Sequence, residues 1–149
     1  MGELHASWKV EIEAPIERVF AVAADVPNSP RWQPSLQKVT TLETDAEGRA
    51  TLVDTEADAK VRTTKQRLRF SYDEPSGMSW EQEKGDVKSL HGSWAFTELG
   101  PERTEAVYEL RADPGRMLGM LLRGPVEGKV KEFLTKGAAE GLKQDVEAG

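Results

Sequence analysis

The chain has 149 residues, 38% of them hydrophobic and 31% charged, with a formal net charge of −6 and no cysteine. That length and balance predict one globular domain over residues 1–149 with one sizeable core. The acidic balance disfavours nonspecific binding to nucleic acid or to an anionic membrane surface, and the lack of thiols excludes disulfides, thiolate zinc sites, iron–sulfur clusters and cysteine catalysis.

The N-terminus, MGELHASWKVEIEAP, lacks the charged-then-apolar pattern of a signal peptide. The most apolar run, MLGMLL at 117–122, is far shorter than the ~20 residues of a membrane span. With no cysteine to oxidise, the expected location is a reducing cytoplasm. Along SWKVEIE (7–13), Trp8, Val10 and Ile12 alternate with Lys9, Glu11 and Glu13, the period of a strand with one buried face. Ala14-Pro15 then opens a short helix whose apolar stripe is Ile16, Val19, Phe20 and Ala23 and whose end falls near Asp25. VPNSPRWQP follows, with three prolines and a tryptophan, so regular structure stops there and a surface segment is expected.

From about 36 to 112 the chain reads as strands and turns. LQKVTTLET and RATLVDTEA flank the turn DAEG, which ends in Gly48. In KVRTTKQRLRFSY (60–72), Gln66, Leu68, Phe70 and Tyr72 face one way and Lys65, Arg67 and Arg69 the other. After EPSG, Met78, Trp80 and Gln82 alternate with Glu81 and Glu83. Gly85-Asp86 reads as a two-residue hairpin turn. VKSLHGSWAFTEL then carries Leu90, Trp94 and Phe96 in phase, and TEAVYEL carries Ala106, Tyr108 and Leu110. The last third changes period. Leu118, Leu121, Leu122, Val126, Val130, Phe133, Leu134, Ala138, Leu142 and Val146 recur at helical steps, with a break expected at Gly124-Pro125. A strand, a short helical region, about six strands and a long helix make an α+β fold, a sheet with helices on one face.

This order resembles the helix-grip superfamily, the START-like, birch-pollen-allergen-like and polyketide cyclase/dehydrase-like (SRPBCC) proteins. The resemblance rests on VEIEAPIERVFAVAADVPNSPRWQPSL, SYDEPSGMSWEQEKG and GSWAFTELGPERTEAVYEL, and within the first on Ala14-Pro15, Asp25 and Trp32. It covers about residues 7 to 147. One departure is PNSP, where relatives commonly carry an aromatic and a single proline. The resemblance implies a curved antiparallel sheet of about seven strands wrapped around the long C-terminal helix, with an apolar cavity between them. The short helices after the first strand would cover part of its mouth. Trp32 would then belong to a lid, or simply anchor the proline-rich turn to the core.

The residues that would meet a ligand follow from phase and place. Phe70, Tyr72, Trp80, Trp94, Phe96 and Tyr108 share one sheet face, either as an aromatic wall for a lipid-, polyketide- or other ring-like ligand or as ordinary core. Gln66, Gln82 and Thr64 fall in the same phase as polar members. Met117, Met120, Leu121 and Leu122 read as a mobile gate or as the first turns of the last helix, and Met117 and Leu121 are taken as ligand contacts.

The remaining candidates are poorer. His5 and His91 are the only histidines, so a His-rich metal site is excluded and neither a metal nor a cofactor is expected. His91 falls on the exposed face unless a bulge at Gly92 turns it inward as an acid/base. Asp25, Glu83 and Asp86 read as cap, surface and turn. GPVEGKV (124–130) lacks the spacing and the Ser/Thr of a phosphate loop. Lys65, Arg67 and Arg69 are expected to pair across strands with Glu81 and Glu83 rather than to contact nucleic acid.

The reading that follows is a binder or carrier of a small hydrophobic molecule. Its alternatives are a polyketide cyclase- or dehydratase-type enzyme with a cavity Tyr or His as acid/base, and a module for a protein partner.

Overall fold

The computed structural model describes residues 3–149. Strand β1 (Leu4–Ile12) leads into helix α1 (Ile16–Ala24) and a 3-10 turn (Val26–Arg31). Strands β2 (Leu36–Thr44), β3 (Ala50–Asp58), β4 (Thr63–Asp73), β5 (Gly77–Gly85), β6 (Ser89–Gly100) and β7 (Arg103–Asp113) follow. Helices α2 (Gly115–Leu121) and α3 (Pro125–Ala148) close the chain. The strands form one curved antiparallel sheet in the order β1-β7-β6-β5-β4-β3-β2, and α3 lies in its grip. Among the described residues, no helix is long and apolar enough to cross a membrane.

Period-two alternation fixes which face of the sheet is buried. On β4, Thr64, Gln66, Leu68 and Phe70 are buried while Lys65, Arg69 and Ser71 are exposed. The same rule buries Trp94 and Phe96 on β6 and Ala106 and Tyr108 on β7. Ile12, Val19, Phe20, Leu142 and Val146 are fully enclosed, so α1, β1 and α3 meet in the deepest part of the core. The expected break falls at Gly124, whose φ of 64° is a conformation few residues other than glycine adopt. On the outer face Arg67 grips Asp54 with two hydrogen bonds of 2.8 and 3.1 Å. Arg69 bonds Glu83 at 2.6 Å and Glu43 at 3.2 Å. Two of the three basic residues are therefore paired across strands, but Arg67 finds its acid on β3, Lys65 makes no ion pair, and Glu81 has no part in these pairs.

The expected two-residue hairpin at Gly85-Asp86 is not formed. Strand β5 pairs with β6 only from Gly77 to Glu81, whereas its pairing with β4 runs on to Gly85. Asp86 continues that edge: its N–H donates to the Lys65 carbonyl at 2.9 Å, and its carboxylate accepts the Lys65 N–H at 2.8 Å. A register shift at Arg67/Leu68 lets β5 follow the bend of β4, so β5 and β6 splay apart. Val87 turns into the gap and is buried there. The gap opens beside α2, at the end of the sheet where the cavity described below reaches the surface.

Candidate functional site: an apolar cavity between sheet and helix

A cavity of about 140 Å³ lies between the inner face of the sheet and helices α2 and α3. Its floor is a chain of aromatic rings. Phe70 and Trp80 stack with centroids 5.4 Å apart, Trp80 lies 5.7 Å from Tyr108, and Tyr108 meets Trp94 edge-on at 4.8 Å. Gly92 makes this layer possible. It stands opposite Trp80 in the β5–β6 ladder, and a Cβ there would fall 2.3–2.4 Å from the indole. The ring therefore lies directly on the backbone of β6. The pairing of Gly92 is regular on both sides, so there is no bulge. His91 accordingly projects from the outer, exposed face beside Arg111 and does not enter the cavity.

The proline-rich segment forms the second wall. Trp32 follows the 3-10 turn, is only 7% exposed, and packs 6.1 Å from Trp94. Its backbone rests on α3: a Cβ at position 141 would lie 1.9 Å from the Trp32 carbonyl oxygen, and one at 137 would lie 3.0 Å from the Pro34 ring. Gly137 and Gly141, one helical turn apart, thus form a flat seat for the segment. Trp32 is both an anchor and a cavity wall, and the two readings of it are not exclusive. Leu118 and Leu122, with Val130 and Leu134, complete the enclosure from the helical side.

The lining carries little charge. Asp58 and Tyr108 are its titratable groups among the described residues. Asp58 already accepts the Lys60 N–H at 2.7 Å. Tyr108 is buried, and loss of solvent pushes its phenol well above the usual tyrosine range, a shift that the nearby Gln33 amide opposes. Gln33 Nε2 lies 3.5 Å from the hydroxyl. Tyr108 at neutral pH is therefore a protonated donor, not a base. Gln66, Thr64 and Thr55 add neutral polar groups, and the Thr55 hydroxyl is taken by the Gln66 carbonyl at 3.3 Å. The Trp32 indole N–H is buried without a partner. No cluster of three or more potential metal ligands occurs among the described residues.

Tyr72, the other tyrosine of the chain, is also raised, chiefly by burial. Both phenols stay protonated in the folded state at pH values where an unfolded chain, titrating near 10, has lost those protons. Their contribution to stability is intact below pH 10 and is lost as pH rises through the higher folded values. Tyrosinate absorbance is thus expected to stay flat to about pH 11 and then rise together with unfolding. Independent titration of one tyrosine near pH 10 with the fold intact would contradict this burial.

The structure divides the residues singled out by phase. Trp32, Gln66, Phe70, Trp80, Trp94 and Tyr108 come together around the cavity. Tyr72 and Phe96 share the face but lie beyond the cavity, packed edge-on against Phe20 of α1 at 6.5 and 6.4 Å. The Tyr72 hydroxyl donates to the Ala50 carbonyl at 2.5 Å. Met117 and Leu121 are 76% and 50% exposed and do not line the cavity. The helical step of α2 turns Leu118 and Leu122 inward and leaves Met117, Met120 and Leu121 outside. Gln33, Val87, Gly137 and Gly141 take part without standing out in the strand and helix periods of the sequence. Two glycines four apart in an amphipathic helix were the available signal, because glycine costs about 1 kcal/mol there unless another chain must approach closely.

Residues 12–136 match the family model described as polyketide cyclase / dehydrase and lipid transport. No curated protein matches the chain. A START superfamily protein from Mycobacterium smegmatis has a similar structure, with a TM-score of 0.84 at 19% identity over 99% of both chains. A Thermus thermophilus protein superposes with a TM-score of 0.83 at 21% identity, over 97% of this chain and 98% of its own. An aromatase/cyclase from a Streptomyces species gives 0.77 at 20% identity, over 98% of this chain and 94% of its own. At these identities the likeness is one of fold.

Proposed function

Because the chain belongs to the polyketide cyclase/dehydrase and lipid transport family, we propose that it binds a small molecule with an apolar, ring-sized body in the cavity between sheet and α3. The observation that carries this reading is the lining itself: an aromatic floor, aliphatic helical walls, a few polar groups of which Asp58 is the carboxylate, and a volume of about 140 Å³. An apolar protein cavity of about 150 Å³ stays dry and accepts a benzene-sized ring. A fused-ring ligand calls for a site of roughly 300 Å³ or more, and so for movement of the 3-10 turn or of α2. Carriage of such a ligand, rather than chemistry on it, fits a site whose phenol, Tyr108, is a donor and whose carboxylate, Asp58, is already engaged by the Lys60 N–H. General acid–base turnover needs both functions placed at the reacting atoms.

A second reading has one observation in its favour. Tyr108 holds a protonated hydroxyl inside the cavity, as a cyclase- or dehydratase-type enzyme would need to polarise a carbonyl. Denaturing extraction of freshly purified protein, followed by mass spectrometry against a blank, is expected to yield an apolar compound at about one per chain. A protein that extracts clean and also takes up no 4-phenylbutan-1-ol by titration calorimetry would refute the binding reading. If the extracted compound is converted by the wild-type protein and left unchanged by Tyr108→Phe, the enzyme reading replaces that of a carrier.

A further inference from the structure

At the splayed end of β5 and β6 the cavity wall continues into an open recess of about 390 Å³. Thr64, Val87, Pro114 and Leu118 line both, so the two spaces share a wall. The character of the lining changes across that wall. Three cationic side chains converge on the recess from three separate elements: Arg62 from the β3–β4 loop, Lys88 from the β5–β6 connection and Arg116 from α2. All three are exposed.

The recess is cationic in a chain that is acidic overall. Among the described residues, Arg62 and Arg116 make no ion pair, nor do Arg18, Arg111 and Arg123, whereas Arg31, Arg49, Arg67, Arg69 and Arg103 each hold a carboxylate. Asp86 lines the recess and Asp113 borders it, and both carboxylates are engaged, Asp113 partly by Lys88 itself. Asp86 accepts the Lys65 N–H at 2.8 Å. Asp113 accepts the Gly115 N–H at 2.9 Å and lies 3.9 Å from Lys88 Nζ. The backbone fixes the place of Lys88: its N–H donates to the Asp113 carbonyl at 2.9 Å. Two guanidinium groups without an ion pair, at the mouth of a mostly apolar cavity whose carboxylate, Asp58, is engaged by the Lys60 N–H, suit a molecule with an apolar body and an anionic end.

We propose that the recess lined by Arg62, Lys88 and Arg116 binds the anionic head of an amphipathic organic acid whose apolar body occupies the cavity. The inference rests on the reading of the cavity as a ligand site. It adds that the ligand carries a carboxylate or a similar anion, and that orientation is set at the recess, with the charge outward and the ring against Trp80 and Trp94. Leaving the charge at the surface avoids the desolvation that a carboxylate inside the aromatic cavity would suffer.

Two probes with the same carbon skeleton test this, 4-phenylbutanoate and 4-phenylbutan-1-ol. Calorimetric affinities are measured for the wild-type protein and for the double variant Arg62→Gln/Arg116→Gln, at ionic strengths of about 0.02 M and about 0.5 M. Both substituted positions are exposed and unpaired, so the fold should tolerate the changes. The acid is expected to bind wild-type protein tighter than the alcohol at low salt. The double variant should weaken the acid about fivefold to tenfold and change the alcohol by less than about twofold, and high salt should reproduce that selective loss on the wild type. Binding of the alcohol with no preference for the acid, or a preference that survives in the variant, overturns the anionic site and leaves the cavity reading standing. Failure of both probes to bind overturns the two together.

Discussion

Replacing Gly141 with alanine is expected to destabilise the protein by about 2–3 kcal/mol, against the usual sign for a helix interior. Glycine to alanine within a helix ordinarily gains about 1 kcal/mol. Here the added methyl would sit 1.9 Å from the Trp32 carbonyl oxygen and 3.0 Å from its carbonyl carbon. Those are backbone atoms, so no rotamer change relieves the overlap. The segment after the 3-10 turn must lift from α3, and Trp32 must leave Trp94. Three readings should move together: a lower urea midpoint, a red-shifted tryptophan emission, and weaker binding of 4-phenylbutan-1-ol. Gly137→Ala is the control, since its methyl meets only the edge of the Pro34 ring at 3.0 Å and should be close to neutral. A stabilised Gly141→Ala protein would mean that the segment carrying Trp32 is not seated on α3 as described.

That contact marks the limit of what the sequence discloses. Alternation along KQRLRFSY and TEAVYEL fixes which side chains turn inward, because the period of a strand is set by its backbone. Those strands, the helix after Pro15 and the break at Gly124 could all be read directly. Alternation says nothing of depth along the strand. Phe70 and Tyr72 have the same phase, yet one lines the cavity and the other packs under α1. MLGMLL is apolar on every side and α2 is only 7 residues long, so no periodic signal separates Leu118 and Leu122 from Met117 and Leu121. Gly85-Asp86 has the composition of a tight turn, but the tertiary pairing of β5 with β4 overrides it. The cationic recess is hidden for the same reason: Arg62, Lys88 and Arg116 are distant in sequence and meet only when three elements are in place.

The division of the aromatic face has a consequence that stability and binding can separate. Phe20 is 1% exposed and meets Tyr72 and Phe96 edge-on, with the Arg49 guanidinium 5.2 Å above its ring. Arg49 is in turn held by Glu74. Truncation to alanine removes a ring that α1 inserts between the sheet and α3, and is expected to cost about 3–5 kcal/mol. That is a large share of the ~5–15 kcal/mol by which such domains are stable. Phe20→Leu, expected to lose only about 1–1.5 kcal/mol, keeps the test readable if the alanine variant does not fold. Phe20 does not line the cavity, and the rings that do, Trp32, Phe70, Trp80, Trp94 and Tyr108, are braced by one another and by Gly92. Under conditions where the variant remains folded, 4-phenylbutan-1-ol should therefore bind within about twofold of wild type despite the lost stability. An affinity that falls in step with stability would mean that Phe96, 5.7 Å from Trp94, transmits the packing of α1 into the cavity wall, making the two aromatic groups one mechanical unit.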